Sequence, residues 1–386
     1  MAKTWRDIRG APLDAAITGA ALAFGGIILT NTLAAERPDP VTPRSIAEAQ
    51  NAVSANPLDV VALRNLAIAF QSHGQASTAD AVFGFIGERT WRDEPTETWL
   101  IEHRLQEGRF QEAFEQADAL LRRNIAEPLR ERLMRVLIAA AATEPARPAL
   151  VDRLAEAPWW RPGFLRQLGA AGDLAGARTV LLGLRNGEAP PRPHEYEPYI
   201  NRRIAAGEYR GAMEDWNALQ PHPSRSGLID PDFIESPDGT PFRWTGVEGV
   251  GASGANVRIG QSLAMVIDYD GFSSPTLPGR LLVLPVGRYR LTWRERLEIG
   301  PAERLTWQIR CADATPVQAS STIVADQGDW RLIRMEFQVP LQACPAQWLT
   351  LAAQPGERRN PVVVAYSGFR LKRDDAPREA SAHPAA

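Results

Sequence analysis

The chain has 386 residues, 44% of them hydrophobic and 23% charged, with 43 Lys and Arg against 46 Asp and Glu for a formal net charge of −3. That composition supports a buried core and more than one domain and excludes a disordered chain. The near balance of charge leaves no overall field for a polyanion, so no nucleic-acid partner is expected. Lys3 and Lys372 are the only lysines, a bias of composition that lowers the weight of any one arginine.

Residues 1–12 form a short basic segment with Lys3, Arg6 and Arg9, and residues 13–35 read LDAAITGAALAFGGIILTNTLAA, uncharged from Ala15 to Ala35. At 1.5 Å per residue, such a run reaches across about 30 Å of hydrocarbon. It is expected to be a transmembrane signal anchor. The basic residues before it orient it with the bulk of the chain outside the cytoplasm, in the periplasm of a single-pass inner-membrane protein. A cleaved signal peptide stays open, because Thr32-Leu33-Ala34 and Leu33-Ala34-Ala35 are tolerable cleavage patterns. Residues 36–44 read as a linker.

From 45 to 221 the chain is rich in Ala, Leu and Arg with helical apolar spacing. Four segments share the form G-x-x-x-x-A: Gly74 with Ala79, Gly108 with Ala113, Gly172 with Ala177, and Gly207 with Ala212. Glycine permits a tight turn between two helices, and the alanine lets the second helix approach the first. In the first unit Asn56-Pro57 is expected to open a helix, with Leu63, Leu66, Ala67 and Phe70 as its buried stripe and Phe83 continuing it on the partner. A unit without the glycine falls near 130–155. The repeated spacing resembles the tetratricopeptide repeat, although the family's tryptophan is missing, and Trp91, Trp99, Trp159 and Trp160 fall near unit starts. The resemblance implies a helical superhelix whose concave side binds a protein partner.

Near residue 222 the texture changes to short alternating runs broken by Gly, Pro and Asp, the pattern of an antiparallel β-sandwich over 222–373. Strands are expected at 263–268, 281–284, 287–295, 304–311, 330–339, 348–353 and 362–371. Alternation puts Tyr289, Leu291, Trp293, Leu305, Trp307, Ile309 and Cys311 in the core. The opposite parity carries Arg290, Arg294, Gln308, Arg310 and Trp348, a mixture of planar polar groups and an aromatic ring that suits sugar hydroxyls and the apolar face of a pyranose. These five are the carbohydrate-binding candidates. In an exported chain Cys311 and Cys344 are expected to form a disulfide.

The landmarks Leu228–Glu235, Pro241-Phe-Arg-Trp244, Leu284–Leu291 and Ser367–Leu371 resemble the jelly-roll carbohydrate-binding modules of the galactose-binding-like class. That resemblance implies two packed sheets, a glycan-binding face and often a structural calcium ion; no other cofactor or metal is expected. Gly249-Val-Gly-Ala-Ser-Gly254 fits a dinucleotide fingerprint but lies in a β-rich region without the helix it needs. Asp268-Tyr-Asp-Gly271 reads as a turn, since the oxygen ladder of a calcium loop is missing.

No nucleophile elbow, zinc-protease helix or phosphate loop is present, and no histidine lies between His222 and His383. Paired carboxylates such as Asp268/Asp270 and Glu295/Glu298 have nothing to set them across a cleft. The expected product is therefore a non-enzymatic, membrane-anchored adaptor in exopolysaccharide or envelope-glycan assembly. It would bind assembly proteins through its helices and polysaccharide through its sandwich. A protein-binding scaffold without sugar affinity and a glycan-processing enzyme are the alternatives. The tail 374–386, rich in Ala and Pro, is expected to be disordered.

Overall fold

The computed structural model describes residues 45–90, 92–171, 173–220, 233, 238–313, 317–322 and 328–374. The expected anchor at 13–35, the linker, Gly172, the landmark at 228–235 apart from Phe233, and the tail from 375 lie outside these residues. No helix among the described residues is long and apolar enough to cross a membrane.

The described residues fall into two compact units, one running to Phe164 and including Asn186–Ala189, the other comprising Leu165–Arg185 and the chain from Pro190 on. The first unit holds α1 (Ile46–Ala55), α2 (Val60–Ser72), α3 (Ala76–Arg89), α4 (Glu94–Gln106), α5 (Phe110–Leu121), α6 (Glu127–Ala142) and α7 (Arg147–Ala155). Side-chain caps define three starts. Ser45 accepts from the Glu48 amide, Asp59 from Val61 and Ala62, and Asp93 from Thr96. The first hairpin therefore opens at Val60 behind Asp59 rather than at Asn56-Pro57, because Asn56 closes α1 instead.

Gly74 turns α2 into α3 with φ 74° and Gly108 turns α4 into α5 with φ 75°, the left-handed region where a side chain is strained. Ala79 and Ala113, one turn into the second helix of each pair, are fully buried. Between α2, α3 and α4 the core is Ala67, Ala79, Phe83, Ile86 and Leu100, and Leu66 and Ala69 turn toward Ala49 of α1. The pair α6 and α7 turns through Thr143–Ala146 without glycine.

The second unit takes in the later part of α8 (Arg161–Ala171) and three further helices. α9 (Leu174–Arg185) follows α8, and α10 (Pro193–Ala205) and α11 (Tyr209–Leu219) form a hairpin through Gly207, φ 78°. Ala177 and Ala212 are fully buried. Nine strands follow among the described residues: β1 (Ala252–Ile259), β2 (Ser262–Tyr269), β3 (Gly279–Leu282), β4 (Gly287–Ile299), β5 (Leu305–Cys311), β6 (Val317–Thr322), β7 (Arg331–Val339), β8 (Gln347–Ala353) and β9 (Val362–Asp374). They make a five-stranded sheet in the order β1-β2-β9-β4-β7 and a four-stranded sheet in the order β3-β8-β5-β6. Every pairing is antiparallel.

The inner faces of the two sheets share one core, in which Trp307 of β5 meets Trp293, Tyr366 and Phe369 of the opposite sheet at centroid distances of 6.5, 5.4 and 5.1 Å. These are the edge-to-face arrangements that aromatic quadrupoles favour. β1–β2 and β5–β6 stay within a sheet, and the other connections change sheet. The expected disulfide joins Cys311 at the end of β5 to Cys344 ahead of β8.

β1 and β6 add to the seven expected strands, and both are edge strands. β1 has an almost wholly exposed pattern, so its sequence lacks the alternation that a half-buried strand shows. In β9 the register shifts around Gly368, φ 65°. The extra residue lets both Tyr366 and Phe369 face the core and turns Arg370 outward.

Polar contacts join α11 to the rest of this unit. Trp216 Nε1 donates to Asp238 Oδ2 at 3.0 Å, and Tyr209 OH donates to Asp313 Oδ1 at 2.5 Å. Asp238 begins a segment whose Pro241 carbonyl accepts from the Leu281 amide at 2.7 Å, so the hairpin is tied to β3, an edge of the four-stranded sheet.

Candidate functional site

The five residues selected by parity all face outward, but the sandwich divides them. Arg290 and Arg294 stand on β4 of the five-stranded sheet; Gln308, Arg310 and Trp348 stand on β5 and β8 of the four-stranded sheet. The two sets occupy opposite outer faces, because alternation tells inside from outside on one strand and does not say which sheet the strand joins.

On the four-stranded sheet the geometry is contiguous. Arg310 lies directly opposite Trp348, and Gln308 directly opposite Thr350. Ser320 of β6 lies on the other side of Gln308. Neighbouring strands are about 4.8 Å apart and alternate residues about 6.8 Å along a strand. The indole, guanidinium, amide and hydroxyl thus form one patch about the size of a sugar ring or two. Trp348 is half-buried and Arg310 exposed, and no intramolecular hydrogen bond or ion pair occupies the Gln308, Arg310 or Thr350 side chains among the described residues. Thr350 shares the parity of the other three.

The carboxylate pairs do not converge. Glu295 points into the core and is buried, accepting from Trp293 Nε1 at 3.1 Å, while Glu298 of the same strand pairs outward with Arg296 at 2.9 Å. Burial and the neighbouring Glu295 raise the Tyr366 hydroxyl well above its ordinary range. Asp268 is exposed on β2, and Asp270 caps a turn. Its oxygens accept from the amides of Phe272 at 2.9 Å and Ser273 at 2.8 Å, which hold its carboxyl below the ordinary value. Asp270 is thus the cap of a turn, and no group of three or more His, Cys, Asp or Glu that could hold a metal ion occurs among the described residues.

The helical unit has a cleft of about 490 Å³ lined by α2, α3, α4 and the start of α6. Phe83 and Trp99 stack at 4.0 Å in its wall, and Trp99 Nε1 donates to Gln71 Oε1 at 2.9 Å. Arg64 and Arg132 supply cations, and Glu94 and Glu102 carboxylates. Behind α4, the buried Glu97 accepts from Gln116, which also accepts from Arg104 at 2.9 Å. Burial raises the Glu97 carboxyl to about 7 against the pull of Arg104 and Arg123. Sequence reasoning misses this group, since a glutamate at that position reads as surface.

No protein-family model matches this chain, and no curated protein matches it. Solved structures similar to its C-terminal part include carbohydrate-binding modules. A family 4 module is 13% identical over 38% of this chain and 99% of that chain, with TM-score 0.31. A family 61 module in complex with β-1,4-galactotriose is 16% identical over 39% of this chain and 100% of that chain, with TM-score 0.29. A second module of family 16 is 13% identical over 38% of this chain and 100% of that chain, also with TM-score 0.29.

Proposed function

We propose that this protein is a non-enzymatic adaptor of the bacterial envelope, holding glycan on its β-sandwich and a protein of the polysaccharide-assembly machinery on tetratricopeptide-like helical hairpins. The observation that carries the glycan half is the contiguous patch of Trp348, Arg310, Gln308 and Thr350 on the four-stranded sheet. An aromatic face beside a bidentate donor and an amide meets the two needs of sugar recognition, an apolar platform and oriented hydrogen bonds. The protein half rests on the cleft around Phe83 and Trp99, whose aromatic wall and mixed charged rim suit a peptide segment.

In this reading residues 13–35 anchor the chain in the inner membrane and the rest lies in the periplasm beside the growing polymer. Titration of the whole chain with a neutral β-1,4-galactan tests the glycan half. Binding should weaken at least about tenfold in Trp348→Ala, the scale of one lost aromatic platform. Undiminished affinity in the combined Trp348→Ala, Arg310→Ala and Gln308→Ala variant, or no binding by the parent, overturns it, and release of new reducing ends from the polymer overturns the non-enzymatic part.

A further inference from the structure

The other outer face of the sandwich has a different chemistry. On the five-stranded sheet the outward positions of β4 are Arg288, Arg290, Thr292, Arg294, Arg296 and Glu298. Thr292 is flanked directly by Arg334 of β7 on one side and Arg370 of β9 on the other, and Arg290 by Glu336 and Lys372. Among the described residues seven cations therefore share this face with four carboxylates, Asp268 of β2, Glu298, Glu336 and Asp374.

The carboxylates neutralise only part of it. Arg290 pairs with Glu336 at 3.1 Å and Asp374 at 3.2 Å, and Arg296 pairs with Glu298. Arg294 lies over the Trp330 ring at 5.3 Å. Arg288, Arg334, Arg370 and Lys372 are exposed, and none has a carboxylate partner among the described residues.

Like charges crowded on one sheet face repel and weaken it, so nothing in folding calls for this arrangement. The shift at Gly368 is what turns Arg370 and Lys372 outward. A bias toward arginine decides which basic residue is used, not that basic residues gather on one face. The opposite outer face shows the contrast, with Arg310 alone among its described paired positions carrying a cation.

We propose that this face binds an acidic polysaccharide, a second surface beyond the neutral patch around Trp348. From Arg288 to Arg296 the row on β4 runs about 27 Å at strand rise, which suits a linear polymer carrying anions along its length better than a single small anion. Guanidinium groups form bidentate pairs with carboxylate and sulfate alike. Single-stranded nucleic acid fits less well, because it needs free aromatic platforms and Trp330 is already occupied by Arg294.

The test is titration of the full chain with polygalacturonate, with neutral galactan, single-stranded DNA and anionic phosphatidylglycerol vesicles as comparators. The expected result is polygalacturonate binding that falls at least about tenfold between low and high salt as several ion pairs are screened. It should fall by a similar factor in Arg334→Gln/Arg370→Gln/Lys372→Gln and stay unchanged in Trp348→Ala. Arg334→Gln and Lys372→Gln singly, each with an unaltered melting curve, should show graded losses. Failure to bind polygalacturonate, binding indifferent to the triple variant, or equal or tighter binding to DNA or vesicles overturns the proposal. Loss of galactan binding in Trp348→Ala concerns the opposite face and leaves this one standing.

Discussion

Tyr209 on the last helix donates its hydroxyl proton to Asp313, two residues beyond the disulfide-bonded Cys311, across 2.5 Å. That bond and the solvent excluded around it raise the Tyr209 hydroxyl to about 12. The folded state holds this proton more tightly than the unfolded chain. The associated stability is full below the ordinary tyrosine value near 10 and is lost as pH rises through about 12. Tyr209→Phe should cost about 2 kcal/mol, the scale of a hydrogen bond to a charged acceptor. A double-mutant cycle with Asp313→Ala in denaturant melts measures the coupling, and additive losses would show that the bond contributes nothing.

Glu97 gives the helical unit a pH dependence of opposite sense to that of an ordinary salt-bridged carboxylate. Its carboxyl rises from 4.5 to about 7 on folding, so the native state binds the extra proton. The contribution is fully present below pH 4.5 and disappears as pH climbs through 7. Glu97→Gln, which keeps the polar contact to Gln116 without the charge, should raise the melting temperature at pH 8 and flatten its decline between pH 5 and 8. Thermal melts across that range decide it.

The disulfide closes a separation of 33 residues. On the chain-entropy model its loss costs about 4 kcal/mol. Cys311→Ser/Cys344→Ser, or the parent under strong reductant, should therefore unfold at markedly lower denaturant. Intrinsic tryptophan fluorescence reads this directly, because Trp293 and Trp307 are fully buried in the same core.

The helical turns offer a graded comparison. A Cβ at Gly108 meets nothing closer than the Phe110 ring at 3.9 Å, so Gly108→Ala carries only the cost of φ 75°, about 1–2 kcal/mol. Ala113 is fully buried, and Ala113→Leu should overpack α4 against α5 and cost about 1–3 kcal/mol. Chemical denaturation of each variant, with Gly108→Asn as a residue tolerant of positive φ, separates backbone strain from packing.

Much of the fold was legible because burial imposes a period. Three helical hairpins announced themselves through glycine at the turn, Gly74, Gly108 and Gly207, and alanine one helical turn later. Seven strands showed alternation, and an aromatic inner face was readable from Tyr289, Trp293 and Trp307. The edge strands β1 and β6 were not, and β1 shows why: a strand paired on one side and exposed on most positions needs no pattern. The assignment of Arg290 and Arg294 to one outer face and Arg310 and Trp348 to the other was also hidden, because pairing between distant strands is settled by the whole sheet. Glu295 followed the inward parity of Trp293 despite its charge, a choice that only the surrounding core explains.

Cys344 fastens the tip of β5, and Asp313 lies two residues along from that rivet. Oxidation therefore does more than brace a sheet: it shortens the leash on the carboxylate that receives the last helix. A chain kept among reducing thiols would retain its helical turns but dock them on a looser berth, so the compartment's redox poise sets how firmly helix and sheet travel as one body.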